Sequence, residues 1–286
     1  MGETPGDRLP AGLYIVATPI GNLRDITLRA LDVLGAADRI ACEDTRVTAK
    51  LLAAYGLKKS LTPYHDHNAA AARPKLLDAI GRGEAVALVS DAGTPLVSDP
   101  GYKLAAEAAA AGFAVTPIPG ASAALAALSA AGLPSDKFLF AGFPPPKAGK
   151  RARWLAGLLA IDATLILYEG PSRLADALAA IAETARDRPV AVMRELTKLY
   201  EEHRRGTAAA LADHYKTAGP PKGEVVIVVG PPGADEAEAP DLDALLQDAL
   251  AAMSVKDAAK IVAAATGLPK KDVYARALTL AKPDGA

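Results

Sequence analysis

The chain has 286 residues, of which 51% are hydrophobic and 23% charged, a globular balance that excludes a disordered, collagenous or coiled-coil protein over most of its length. That length predicts two domains with a small appendage, and the net charge of -1, from 32 Lys and Arg against 33 Asp and Glu, excludes a protein that coats nucleic acid by bulk charge. Any nucleic-acid site has to be a local basic patch. Cys42 is the single cysteine, so no intrachain disulfide can form and a cytoplasmic setting is expected. The opening MGETPGDRLPAG lacks the basic stub and apolar run of a secretory signal.

In chain order, short apolar runs at 13–17, 39–42, 86–90, 113–118, 138–141, 164–168, 190–193 and 224–229 read as strands, several of them buried on both faces. Between them lie segments with helical spacing, such as Leu28, Leu31 and Leu34, or Leu174, Leu178 and Ile181. This alternation predicts an α/β chain with substantial parallel pairing. Residues 108–135 form a run of 28 without a charge, longer than a bilayer requires. Its commonest residue is the weakly apolar alanine, however, and Gly112, Pro117, Pro119, Gly120, Gly132 and Pro134 break it into strand, turn and short helix, so no membrane span is expected.

Three early strands are each followed by a loop that joins Gly to Pro: TPIGN at 18–22, DAGTP at 91–95 and PGASA at 119–123. Any one of them alone reads as a strand ending and nothing more. Together, at the carboxyl ends of α/β strands, they suggest one small-molecule site built from bare backbone N–H and C=O groups. Further on, FPPPKAGKRARW places Lys147, Lys150, Arg151 and Arg153 within seven positions. Such a run is either a solvated loop or a contact to a phosphate backbone.

From 230 to 241 the chain reads GPPGADEAEAPD, the composition of a linker. Beyond it Ser254, with Asp257 three residues on, forms an acidic variant of the capping box. A turn at 267–271 and a helix from about Asp272 complete a helix-turn-helix of some kind, which packs on itself or a partner or binds nucleic acid. Phosphate-loop, GxGxxG, GxSxG and HExxH motifs are all lacking, and His65 with His67 has no thiolate or acidic cluster to make a metal centre; no metal is assigned.

The segments VATPIGNLRDIT, ACEDTRVTAKLL, LVSDAGTPLVSDPG, PIPGASA, FAGFPPPK, YEGPSR and RELTKLYEE occur in that order. With them the chain resembles the ribosomal RNA small subunit methyltransferase I family of the tetrapyrrole methylase-like superfamily, over about 13–229, and the helical tail is similar to that family's small C-terminal domain. The resemblance implies two α/β domains with the cofactor in the cleft between them, expected at 1–118 and 119–232, and a helical domain at 241–286. It implies methyl transfer from S-adenosylmethionine to the ribose 2′-hydroxyl of a cytidine in the decoding region of 16S ribosomal RNA, free or in the 30S subunit, by a homodimer. Asp91, Ala92, Gly93 and Thr94 then match the main cofactor loop, Ser122 and Ala123 the next cofactor segment, and Thr18, Pro19, Ile20 and Gly21 the place where cofactor and acceptor approach. The first loop departs from the superfamily's GxGxG form in having Gly21 alone, and Gly170 and Ser172 in YEGPSR stand where relatives often carry Ser and His.

Attack by a ribose hydroxyl requires in-line placement and loss of its proton. Strand-end acids that offer a base are Glu43, Asp44, Glu169 and Glu195; each is equally a cap or an ion-pair partner for Arg46, Arg173 or Arg194. Glu43 and Asp44 are preferred because they follow a buried strand beside Arg46 and Lys50, which can hold neighbouring phosphates. The expected RNA contacts are Arg46, Lys50, Lys147, Lys150, Arg151 and Arg153. Two other readings stand beside this one: the same fold acting on a tetrapyrrole or protein acceptor, and a non-catalytic RNA-binding assembly factor.

Overall fold

A computed structural model describes residues 8–98, 101–233, 242–266 and 268–281. The chain divides into two compact units, a body of residues 1–231 without 160–162, and a second unit of 232–286 together with 160–162.

In the body, β1 (Gly12–Val16), β2 (Arg39–Cys42), β3 (Leu61–Pro63), β4 (Ala85–Val89) and β5 (Val115–Ile118) form an all-parallel sheet in the order β3-β2-β4-β1-β5. Parallel neighbours need crossovers, supplied by α1 (Leu28–Ala36), α2 (Thr45–Ala54), α3 (Ala69–Gly81) and α4 (Tyr102–Ala110). The period of two splits each strand between two cores. Tyr14, Val16, Ile40, Cys42, Ala87 and Val89 meet Ala30, Val33 and Leu34 of α1 on one face. Leu13, Ala41, Val86 and Leu88 meet Leu76 and Ile80 of α3 and Leu104 of α4 on the other. Each such Leu, Ile or Val contributes about 1.5–3 kcal/mol by leaving water.

The second sheet contains β6 (Phe138–Gly142), β7 (Thr164–Glu169), β8 (Pro189–Arg194), β9 (Glu202–Thr207) and β10 (Val225–Val229) in the order β6-β7-β10-β8-β9. The pairing here is mixed: β6 and β7 are parallel, whereas β10 runs antiparallel to both β7 and β8, and β9 antiparallel to β8. The cause is the return of the chain straight from β8 into β9 without a crossover helix. One face packs on α6 (Ala148–Leu159), α7 (Leu174–Thr184) and α8 (Ala208–Ala218), and the other on α5 (Ala123–Ala131), whose Ala124, Ala127 and Ala131 let helix and sheet approach closely.

The second unit has three helices, α9 (Leu242–Ala252), α10 (Val255–Thr266) and α11 (Lys270–Leu280), around Leu246, Ala259, Val262, Val273 and Ala277. The capping box forms as read: the Asp257 N–H donates to Ser254 Oγ at 3.2 Å and the Ser254 hydroxyl donates to Asp257 Oδ2 at 2.6 Å. α9, which the sequence reading does not identify, is tied in by Arg276 Nε donating to Asp243 Oδ1 at 2.7 Å. Of the linker, 234–241 lies outside the described residues, as does Gly267 of the turn. Among the described residues no helix is long and apolar enough to cross a membrane.

Candidate functional site

The three Gly and Pro loops are bonded to one another. Thr18 and Gly93 exchange both backbone hydrogen bonds, at 2.9 and 3.0 Å. The buried Thr18 Oγ1 donates to the Ser90 carbonyl at 3.2 Å, which locks the first loop to the end of β4. Thr94 Oγ1 donates to the Ala121 carbonyl at 3.1 Å and joins the second loop to the third. Gly93 sits at φ +80°, where a side chain is disfavoured, and an added Cβ would lie 3.2 Å from Ile20 Cγ2.

Against these loops lies a cavity of about 270 Å³. Ile20, Ala92, Gly93, Thr94, Val97, Ser98, Ser122 and Ala123 form one side, and Phe143, Tyr168, Glu169, Glu224, Val225 and Val226 the other. Ser122 caps α5, so the opening turn of that helix directs backbone N–H groups toward the cavity edge. Lys198 lies across Gly21, where an added Cβ would meet its Cγ at 2.4 Å. Its ammonium donates to Glu195 at 2.8 Å and Glu224 at 3.1 Å. These contacts place the 195–201 segment, with Glu195 and Thr197 both at positive φ, over the first loop.

A second, wider cavity of about 490 Å³ lies at the ends of β2 and β3, lined by Glu43, Asp44, Thr45, Arg46, Pro63, His65, His67 and Asp91. Asp44 is the N-cap of α2; its carboxylate accepts from the Arg46 N–H at 2.8 Å and from the Arg46 guanidinium at 2.6 Å. The hydrogen bonds from Arg46 hold it down to about 2. Glu43 shifts the other way, pushed up by burial and then by the negative charges of Asp91 and Asp66. Asp91 Oδ1 accepts from the Asp44 N–H at 3.1 Å, so this residue belongs to the second cavity while Ala92, Gly93 and Thr94 face the first.

The structure thus brings Ala92, Gly93, Thr94, Ser122 and Ala123 to one cavity, with Ile20 in place of its neighbours Pro19 and Gly21. Of the expected basic contacts, Lys50, Lys147, Lys150 and Arg153 are exposed, and Arg46 is exposed but engaged by Asp44. Arg151 is a correction: its side chain is 7% exposed, lies in the buried stripe of α6 and faces Asp176 at 3.8 Å, so it has no surface to offer a phosphate. The sequence reading misses Phe143, Tyr168, Val225 and Val226. Tyr168 stands next to the carboxyl end of β7, where the strand-end rule used for the first sheet would have found it.

A cavity lined by backbone loops at the strand ends of α/β sheets is where such folds seat small organic ligands. The chain matches the family Tetrapyrrole (Corrin/Porphyrin) Methylases over residues 12–212 and the RsmI C-terminal HTH domain over 236–281. It is 55% identical to a ribosomal RNA small subunit methyltransferase I of Mesorhizobium japonicum, covering 99% of this chain and 97% of that one. A protein of the same name from Erythrobacter litoralis is 56% identical, over 95% of this chain and 96% of that one. Among solved structures, a uroporphyrin-III-C-methyltransferase of Thermus thermophilus superposes with a TM-score of 0.56 at 25% identity, covering 77% of this chain and 94% of that one. The chain belongs to the tetrapyrrole methylase family and is a methyltransferase that uses S-adenosylmethionine.

Proposed function

We propose that the enzyme methylates the ribose 2′-hydroxyl of a cytidine in the decoding region of 16S ribosomal RNA, within the 30S subunit or its RNA, as a cytoplasmic homodimer. The observation that carries this reading is near-full-length identity above one half to relatives named for small-subunit ribosomal RNA methylation, tail included. The residues of the first cavity suit the cofactor. Thr94 and the opening N–H groups of α5 offer polar contacts to an amino-acid end, Val225, Val226 and Tyr168 offer an apolar wall, and Glu169 offers a buried acceptor. Ala92, Gly93, Thr94, Ser122 and Ala123 would hold it, with Pro19 and Gly21 shaping the approach of the acceptor and Asp91 fixing the loop from behind. When bound, S-adenosylmethionine supplies an electrophilic methyl group.

The chain's own part is to place the hydroxyl and accept its proton. Glu43 suits the second task better than Asp44: its raised proton affinity favours proton uptake, whereas both oxygens of Asp44 are spent on Arg46. Lys50, Lys147, Lys150 and Arg153 would meet phosphates, and the three-helix unit would add recognition of the folded RNA. The domains are read as 1–118, 119–232 and 241–286, since β5 ends the first sheet at Ile118 and α5 packs on the second. The test is transfer of labelled methyl to 30S subunits that lack decoding-site modification, with free 16S RNA alongside and the product nucleotide mapped by mass. A 2′-O-methylcytidine is the expected product; no transfer to either RNA while S-adenosylhomocysteine still binds would refute the acceptor and turn attention to tetrapyrrole and protein substrates.

A further inference from the structure

The segment that follows β3 is a wall between two cavities. Pro63, His65 and His67 line the second cavity, whereas Tyr64 and Asp66 line a third, of about 300 Å³. This alternation carries the strand's period of two beyond Pro63. The wall is tied in place: the Tyr64 N–H donates to the Cys42 carbonyl at 2.7 Å, the His65 N–H to Asn68 Oδ1 at 2.9 Å, and Asn68 Nδ2 to the Pro63 carbonyl at 2.9 Å.

The two sides of the wall differ in charge. Glu43, Asp44 and Asp91 stand in the second cavity, where Arg46 is spent on Asp44. Arg73 and Lys103 line the third, with Asp66 as the one acid of its lining. Arg73 Nε lies 2.8 Å from Glu107 Oε1 without the alignment of a hydrogen bond, so the pair is held by charge alone at that atom. Lys103 is exposed, and beside it Tyr102 is 71% exposed. Both open α4 directly after Gly101, where an added Cβ would lie 2.8 Å from Leu88 Cδ2, so a turn packed on the core presents them. An exposed ring next to a cation is how proteins hold a single strand of nucleic acid, the base stacking while the phosphate is neutralised. On the function proposed above, on which this assignment rests, the target ribose enters beside Glu43. The acids there repel the phosphates joined to it, and the basic lining across the wall attracts one of them. We infer that the third cavity seats the nucleotide adjoining the target in the RNA strand, its phosphate on Lys103 and Arg73 and its base against Tyr102.

The test measures binding of the full chain to 30S subunits reassembled around 16S RNA in which one nucleotide near the target lacks its base or carries a neutral methylphosphonate in place of its phosphate. Native protein is compared with Tyr102→Ala, Lys103→Ala and the conservative Tyr102→Phe and Lys103→Arg, with methyl transfer and S-adenosylhomocysteine affinity followed in each. Removing the adjoining base should weaken the native protein and Tyr102→Phe by about 5- to 100-fold, and Tyr102→Ala no further than its own loss. The neutral phosphate at that nucleotide should weaken the native protein and Lys103→Arg by about two- to fivefold, and leave Lys103→Ala where it was. All four variants should melt with the native protein and bind S-adenosylhomocysteine as it does, because both side chains are exposed and line no part of the first cavity. The seat is overturned by alanine variants that bind every subunit as the native protein does, or by losses that are the same whichever nucleotide is altered, as bulk charge would give. Native protein that neither binds nor methylates unaltered 30S subunits or free 16S RNA, while S-adenosylhomocysteine still binds, would refute the acceptor and the seat together. Native transfer alongside uncoupled variants would refute the seat alone.

Discussion

Gly93 joins the backbone of the first loop to the cavity wall, and replacing it with alanine probes both roles. At φ +80° a left-handed non-glycine residue costs about 1–2 kcal/mol. The new Cβ, 3.2 Å from Ile20 Cγ2, forces a shift in a packed neighbour and adds about 1 kcal/mol. Gly56 supplies the comparison: it has φ +70°, but nothing lies within 4 Å of an added Cβ, so Gly56→Ala carries the backbone penalty alone. At about 2–4 °C per kcal/mol for a body of this size, Gly56→Ala should lower the melting temperature by roughly 2–8 °C and Gly93→Ala by roughly 4–12 °C. Calorimetric titration with S-adenosylhomocysteine should show native affinity in Gly56→Ala and at least about a tenfold loss in Gly93→Ala, because the displaced methyl of Ile20 lines the same cavity. Equal melting shifts together with unchanged affinity in Gly93→Ala would refute the account of this loop.

Three further outcomes follow from the charged groups. Lys150→Ala should leave the melting temperature in place and flatten the salt dependence of RNA binding by about one unit of slope, whereas Arg151→Ala should lower the melting temperature and leave that slope alone. Glu43 has a folded-state proton affinity raised above the ordinary value of 4.5, so its ionisation opposes folding as pH rises through that window. Glu43→Gln should therefore melt higher than the native protein near neutral pH and match it in acid, while methyl transfer falls. Asp44 behaves oppositely: its contribution is present above 3.8 and lost as pH falls toward about 2. Asp44→Asn, which still caps α2 but loses the charge toward Arg46, should melt below native at neutral pH and above Asp44→Ala; an Asn variant that melts with the native protein at neutral pH would show that the cap, and not the pairing with Arg46, holds the turn.

The first sheet was legible because its strands are short continuous apolar runs separated by helical spacing, the pattern that buried parallel pairing produces. The second sheet was legible as strands and not as topology: Val190 and Val225 read alike whether their neighbours run with or against them. β3 and β9 escaped notice for a shared reason. Leu61–Pro63 is three residues at a sheet edge, and Glu202–Thr207 spells EHRRGT, an edge strand whose outward positions are charged. Helical spacing misled at Leu28, which is 81% exposed while the smaller Ala30 and Val33 face the core. For the site, the three loops stood out as repeated Gly and Pro at strand ends. The opposite wall did not, since Tyr168, Val225 and Val226 look like any strand residues until the fold sets them across from the loops. Arg151 and Lys150 are neighbours in one basic run, and only the turn of α6 separates a core side chain from a surface one.

The position of β1 bears on how this enzyme comes into being. It leaves the ribosome before both of its neighbours in the sheet, β4 and β5, which are supplied by Ala85–Leu88 and Val115–Ile118. The bond that closes the site, between Thr18 and Gly93, spans 75 positions. Until that length has been synthesised, β1 exposes two apolar faces and two unpaired edges, a state that invites chaperones during translation and aggregation without them. An enzyme proposed to act on ribosomes is therefore most vulnerable while it is still attached to one.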